Sequence, residues 1–214
     1  AITKIFAGSQ IDEYSTTFGI RNFDYNNNYL NGRPIEIRGV CMHHDLGALG
    51  AAVNSRAIER QLEILKDMGC NAIRTAHNPP APELLELCDK MGFLVMVEAF
   101  DMWKKRKNRY DYHLDFDEWH KRDLEDMVKR DRNHPSVIWW SIGNEIREQF
   151  DSSGIRLTRQ LTAIVKKMDS TRPVTAALTE LDTTKNFMYK AHALDVLGLN
   201  YNLDKYGQVA KNWG

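Results

Sequence analysis

The chain has 214 residues, enough for one large domain or two small ones with a sizeable buried core. Apolar residues make up 43% and charged residues 27%, and 29 Lys plus Arg match 29 Asp plus Glu, so the formal net charge is zero. That balance argues against nucleic acid or an anionic membrane as a partner, and no run of about 18 apolar residues offers a membrane span.

In chain order, residues 1–16 (AITKIFAGSQIDEYST) mix polar and apolar positions without a helical period. They read as the tail of a preceding β-domain. FGIRNFDY and YLNGRPIEIRGV follow as extended runs, and Asn31-Gly32 among them is a tight-turn signal that makes a short β-hairpin of this stretch. The division expected on this pattern is residues 1–34 as tail and opening hairpin, and 35–214 as the main domain.

From residue 35 a strand–helix rhythm sets in. IEIRGV (35–40), NAIRTA (71–76), FLVMVEA (93–99), VIWWSIG (137–143), VTAAL (174–178) and DVLGLNY (195–201) read as strands. Between most of them lie helices. NSRAIERQLEILKDMG has a cap at Asn54 or Ser55, a stop at Gly69, and Ile58, Leu62, Leu65 and Met68 on one face. PPAPELLELCDKMG opens on prolines and stops at Gly92. DFDEWHKRDLEDMVKRDRNH is capped at Asp115 or Asp117, with Trp119, Leu124, Met127 and Val128 as its apolar stripe. SSGIRLTRQLTAIVKKMD runs to Asp169, ahead of Arg172-Pro173. Repetition of strand and helix in one order predicts an α/β fold with a parallel sheet. An eight-stranded barrel takes about 250 residues. Six strands fit here, so the pattern alone leaves an open doubly wound sheet or a barrel cut short. The three cysteines, Cys41, Cys70 and Cys88, form no C-x-x-C pair. Cys70 and Cys88 lie in apolar surroundings and read as small buried hydrophobes, which leaves the compartment, cytoplasmic or periplasmic, unread.

The carboxyl ends of the strands carry the chemistry. The first ends in His43-His44-Asp45, and the second carries Arg74 and ends in His77-Asn78. The third ends in Glu98, Asp101 and Trp103, the fourth in Asn144-Glu145, and the sixth in Asn200-Tyr201-Asn202. A lone His after a strand is usually a hydrogen-bonded loop residue, and a lone Glu there is often a neighbour of a helix cap. Five strand ends agreeing on one rim are harder to dismiss, since that rim is where a β/α barrel builds its active site. Arg74 inside an apolar strand also demands a partner, and a buried carboxylate is the natural one. Glycoside cleavage fits the set: it needs two carboxyl groups, one to protonate the leaving oxygen and one to attack the sugar. Trp103 and Tyr201 suit stacking on a sugar ring, while Asn144, His43, His77 and Asp45 suit gripping its hydroxyls. Of Trp139 and Trp140 only one can face the interior.

IRGVCMHHD, LEILKDMGCNAIRTAHNP, LCDKMGFLVMVEAFDMW, NHPSVIWWSIGNE and LDVLGLNY together resemble the barrel domain of glycoside hydrolase family 2, the β-galactosidase branch above all. The preceding FGIR…LNGRPI is similar to that family's opening hairpin, so the resemblance covers residues 17 to about 202. It implies a (β/α)8 TIM barrel truncated after about six strands. It also implies a retaining exo-β-glycosidase with glutamates on its fourth and seventh barrel strands, acting on a carbohydrate without a cofactor. By the same resemblance Glu145 is the acid/base, Asn144 binds the sugar 2-hydroxyl, and His43 and His77 bind substrate. Tyr201 bonds the nucleophile, Arg74 keeps that nucleophile ionised, and Glu98 gives electrostatic support. Asp45, Asp101 and Trp103 fall where sugar-binding rim residues are expected. Accessory β-sandwich domains and a homo-oligomer are the partners implied.

Two departures matter. Some relatives bind magnesium through Glu and His after the third strand; FDMWKK stands there instead, so no metal is expected. The nucleophile should follow a seventh strand, which these residues do not reach; Glu148 and Glu180 lie just past the fourth and fifth strands and cannot replace it. β-Glucuronidase and β-mannosidase of the same family, and a non-catalytic carbohydrate-binding relative, are the alternatives. A zinc hydrolase built on His43, His44, Asp45, His77 and Asp101 is disfavoured because adjacent histidines point opposite ways.

Overall fold

The computed structural model describes residues 2–207 and 209. β1 (Ile2–Ala7) and β2 (Ser9–Ser15) pair as an antiparallel hairpin. Three two-residue strands follow: β3 (Phe23–Asp24), β4 (Tyr29–Leu30) and β5 (Arg33–Pro34). Leu30 pairs with Arg33 across Asn31-Gly32, whose φ angles of 51° and 77° are both positive. That is the primed turn an Asn-Gly pair favours, because its twist matches the twist of the strands it joins.

The main sheet has six parallel strands: β6 (Gly39–Met42), β7 (Ala72–Thr75), β8 (Leu94–Glu98), β9 (Val137–Asn144), β10 (Val174–Leu178) and β11 (Val196–Leu199). They lie side by side in chain order. A doubly wound sheet must reverse its strand order partway. Here every crossover steps the same way, and right-handed crossovers of one direction put all the helices on one face. The open-sheet reading is therefore excluded, and the six strands form the curled wall of a TIM barrel.

The outer face of that wall is covered by α1 (Ser55–Asp67), α2 (Pro82–Met91), α3 (Phe116–Asp131) and α4 (Ser153–Met168). Their ends follow the sequence signals: the Asn54 side chain accepts from Ala57 N at 3.0 Å, Pro82 opens α2, and Gly92 closes it in the left-handed conformation. Leu62, Leu85, Leu124 and Leu161 are fully buried against Val95, Val97, Trp140 and Ile142 of the sheet. Burying each such leucine contributes about 2 kcal/mol. Met68 (70% exposed) and Trp119 (37%) leave the faces assigned to them: Met68 caps α1 rather than lying within it, and Trp119 stacks under the Arg122 guanidinium at the surface. Between β10 and β11 there is no α-helix, only a short 3-10 turn at Tyr189–Ala191.

The first barrel strand is displaced from its expected span of 35–40. Its ladder with β7 begins only at Gly39 opposite Ala72. Ile35 and Ile37 instead pack with Phe23, Leu30, Ala72, Leu94 and Ile138, closing the end of the sheet where the strands begin. Arg21 fastens this plug by donating to the carbonyls of Pro135 (2.6 Å) and Val137 (2.5 Å). The opposite end, where the strands finish, is left for the site.

Candidate active site

Arg74 projects from β7 into a ring of acceptors. Its Nε and Nη2 donate to Glu98 Oε2 at 3.0 and 2.8 Å, and Nη2 also donates to Asn144 Oδ1 at 2.8 Å. Glu98, the last residue of β8, has no solvent exposure. It also takes His77 Nδ1 at 2.6 Å and Ser141 Oγ at 2.7 Å. A carboxylate is affordable there only because a guanidinium and two further donors replace its lost water. The partner that Arg74 required is thus Glu98.

Ser141 and Asn144 both reach this cluster although they are three residues apart. Strict alternation would put them on opposite faces. The register of β9 against β10 slips between the Ser141 and Asn144 pairings, and that extra residue turns Asn144 inward. Gly143 occupies the slip: a Cβ on it would stand 2.6 Å from Ile146 Cγ1 and 3.1 Å from Trp103 Nε1. Asn144 is held on every side. Its Oδ1 accepts from Arg74 and from Asn200 Nδ2 (3.0 Å), and its Nδ2 donates to Asp101 Oδ1 at 2.9 Å. Burial raises the proton affinity of Asp101, but the donors Lys107 and Asn144 outweigh it and hold that carboxyl below its ordinary range.

Glu145 is half-buried on a left-handed backbone, φ 46°. Its N–H donates to the Ala177 carbonyl at 2.7 Å, and its Oε1 accepts from Asn200 Nδ2 at 2.7 Å. Tyr201 is exposed, and its hydroxyl bonds the Glu145 carboxylate; that bond and the adjacent negative charge push the phenol above its usual range. His44, Tyr201 and Asn202 are left-handed as well, at 51°, 60° and 52°. Unfavourable backbone therefore gathers at the strand ends, as it does at working sites.

The structure brings Arg74, His77, Glu98, Asp101, Asn144, Glu145 and Tyr201 into one network. His43 joins at its edge, its exposed ring standing edge-on to His77 at 5.2 Å. Asp45 does not join: its carboxylate accepts from Gly47 N at 2.7 Å and shapes its own loop. Trp103 contradicts its expected place on the rim. It has no exposure, its indole donates to Ile142 O at 2.9 Å, and it packs on Phe116, so it supports β9 from behind and offers no face to a ligand. Trp140 is likewise buried on the helix side, which leaves Trp139 facing inward. Asn200 and Lys107 also belong to the network, although neither is assigned a role from sequence. Asn200 was visible as a polar residue at a strand end; Lys107 lay hidden in a basic run. Among the described residues no three His, Cys, Asp or Glu side chains cluster to hold a metal.

A half-buried carboxyl beside an amide and a phenol, on a rim that also carries imidazoles, is suited to a hydroxyl-rich ligand and to proton transfer. Comparison with known proteins agrees with that chemistry. The family model described as the TIM barrel domain of glycosyl hydrolases family 2 matches residues 22–210. The β-galactosidase BoGH2A of Bacteroides ovatus is 48% identical over 99% of this chain, and a β-glucuronidase of Bacteroides fragilis is 31% identical over 85%. The crystal structure of a family 2 member from Bacteroides cellulosilyticus superposes with a TM-score of 0.90 at 46% identity, covering 99% of this chain and 28% of that one. The chain spans 29% of the Bacteroides ovatus enzyme's length and 26% of the Bacteroides fragilis enzyme's. It belongs to glycoside hydrolase family 2.

Proposed function

We propose that these residues supply the acid/base half of a retaining exo-β-glycosidase acting on terminal β-galactosides. The carrying observation is the contrast among three carboxyl groups. Glu98 is locked by Arg74 and Asp101 by Lys107, whereas the partners of Glu145 are the neutral Asn200 and Tyr201. A group that must hold a proton in one step and accept one in the next is poorly served by a fixed cation.

In this reading Glu145 protonates the departing glycosidic oxygen while a second carboxylate attacks the anomeric carbon. Glu145, now ionised, then deprotonates the water that releases the sugar. Asn144 bonds the 2-hydroxyl, and His43, His77 and Asp101 serve the remaining hydroxyls. Tyr201, already beside Glu145, is placed to donate to the nucleophile, which we assign to a residue outside these 214. Glu98 holds Arg74 in the floor, and the Arg74 guanidinium biases charge toward the ionised nucleophile. Residues 1–34 are read as the tail of a preceding β-domain and the opening hairpin. The greater identity to the galactosidase supports galactose over glucuronic acid.

The test is hydrolysis of an aryl β-galactoside by the full-length protein. Glu145→Gln should lower kcat/KM by about 100-fold or more, the scale of general acid catalysis. Activity within threefold of wild type would remove Glu145 from this role.

A further inference from the structure

The loop after β8 carries a basic run, Lys104, Lys105, Arg106 and Lys107, followed by Arg109. Four of these five are exposed, as a solvated run should be, but Lys107 is only 18% exposed at its side chain. Its ammonium donates to Asp101 Oδ1 at 2.6 Å and to the Asn144 carbonyl at 2.9 Å. The second contact matters most, because that carbonyl belongs to the peptide bond joining Asn144 to Glu145.

We propose that Lys107 is a positioning residue that sets the aim of Glu145; this rests on the reading of Glu145 as the acid/base. The peptide between residues 144 and 145 is gripped at both ends, its C=O by Lys107 and its N–H by the Ala177 carbonyl. A glutamate does not hold φ 46° unaided, and such conformations persist where the surroundings over-determine them. Lys107 also reaches Asn144 a second way. Asp101 Oδ1, which it binds, accepts from Asn144 Nδ2, so one ammonium orders both the backbone before Glu145 and the amide beside it. The loop is built to deliver it: Asp111 Oδ2 accepts from Lys107 N (2.9 Å) and Asn108 N (2.6 Å), and Glu148 Oε1 accepts from Lys105 N (2.9 Å).

A mis-aimed acid harms substrates in proportion to their need for protonation. In the full-length protein, Lys107→Met and Lys107→Gln are to be compared with wild type on phenyl and 2,4-dinitrophenyl β-galactosides. Phenolate is a poor leaving group that needs the proton; dinitrophenolate is not. We expect kcat/KM to fall about 10- to 100-fold for the phenyl substrate and less than about threefold for the other. Lys107→Arg should restore most of the phenyl activity, and Glu145→Gln should show the same leaving-group pattern more strongly. Equal losses on both substrates, no loss, or unfolding of both the Met and Gln variants overturns the role of Lys107. If Glu145→Gln lacks the pattern, the acid/base reading itself falls, an outcome separable from failure of the lysine alone.

Discussion

Glu98 is an anion with no solvent exposure, satisfied by Arg74, His77 and Ser141. Removing one partner of a buried pair leaves the other charge uncompensated, which costs about 3–5 kcal/mol. We expect Glu98→Ala to lower stability by that amount in urea denaturation. Combining it with Arg74→Met should cost clearly less than the sum, because the second change removes the stranded charge. Strict additivity would mean the two side chains are not coupled as the geometry requires. This pair also shows what single residues disclose in a sequence. Arg74 in an apolar strand announces a buried acid, since no other arrangement is tolerable. Trp103 announces nothing, because an aromatic after a strand serves a ligand or a core equally well. Lys107 is worse placed still, among neighbours that are ordinary surface cations. Charge inside an apolar context is legible; charge inside a charged context is not.

Elements were legible where local chemistry fixes their ends, as at Asn54, Pro82 and Gly92, and misplaced where a tertiary partner decides, as with the strand expected at 35–40. Ile35-Glu36-Ile37 alternates like a strand, but Gly39 is the first residue that β7 can pair. The slip in β9 is likewise invisible to alternation, although Gly143 hints at it. The junction of α4, β9 and β10 depends on one carboxylate. Asp169, at the end of α4, accepts from Trp140 Nε1 (2.9 Å), Thr171 Oγ1 (2.6 Å) and Arg172 Nη1 (2.6 Å). Burial raises its pKa, but these donors outweigh it and lower it from 3.8 to about 2. A folded-state pKa below the unfolded one stabilises above the unfolded value and loses that stabilisation as pH falls through the folded value. The difference corresponds to about 2 kcal/mol, with a side chain only 4% exposed. Asp169→Asn should therefore be less stable than wild type by about that much at pH 6, and the gap should close between pH 4 and pH 2. Chemical denaturation of both proteins across that range measures it; a gap independent of pH would show that ionisation of Asp169 does not matter.

At the scale of the molecule, the same topology that gathers the site leaves it one-sided. β6 and β11 are the two edges of the parallel sheet. Exposed edges invite pairing, and a barrel removes them by closing. Arg74, Met96 and Trp139 line the concave side, where a closed barrel would be filled by side chains from facing strands. The rim has the same asymmetry. Double displacement in a retaining enzyme needs two carboxyl groups about 5–5.5 Å apart. Glu98 cannot be the second, because it is buried and held by three donors, and Asp101 is committed to Lys107 and Asn144. Asp45 is spent on its own loop. A polypeptide of these 214 residues alone should therefore bind sugar weakly and show no turnover of an aryl β-galactoside. Hydrolysis by that polypeptide which disappears in Glu145→Gln would mean that one of these carboxylates leaves its partners and attacks. On the proposed reading, the acid of a two-carboxylate site is held by its own strand and the next two, as Glu145 is by the Ala177 carbonyl and Asn200, while its function depends on a carboxylate from the far side of the barrel.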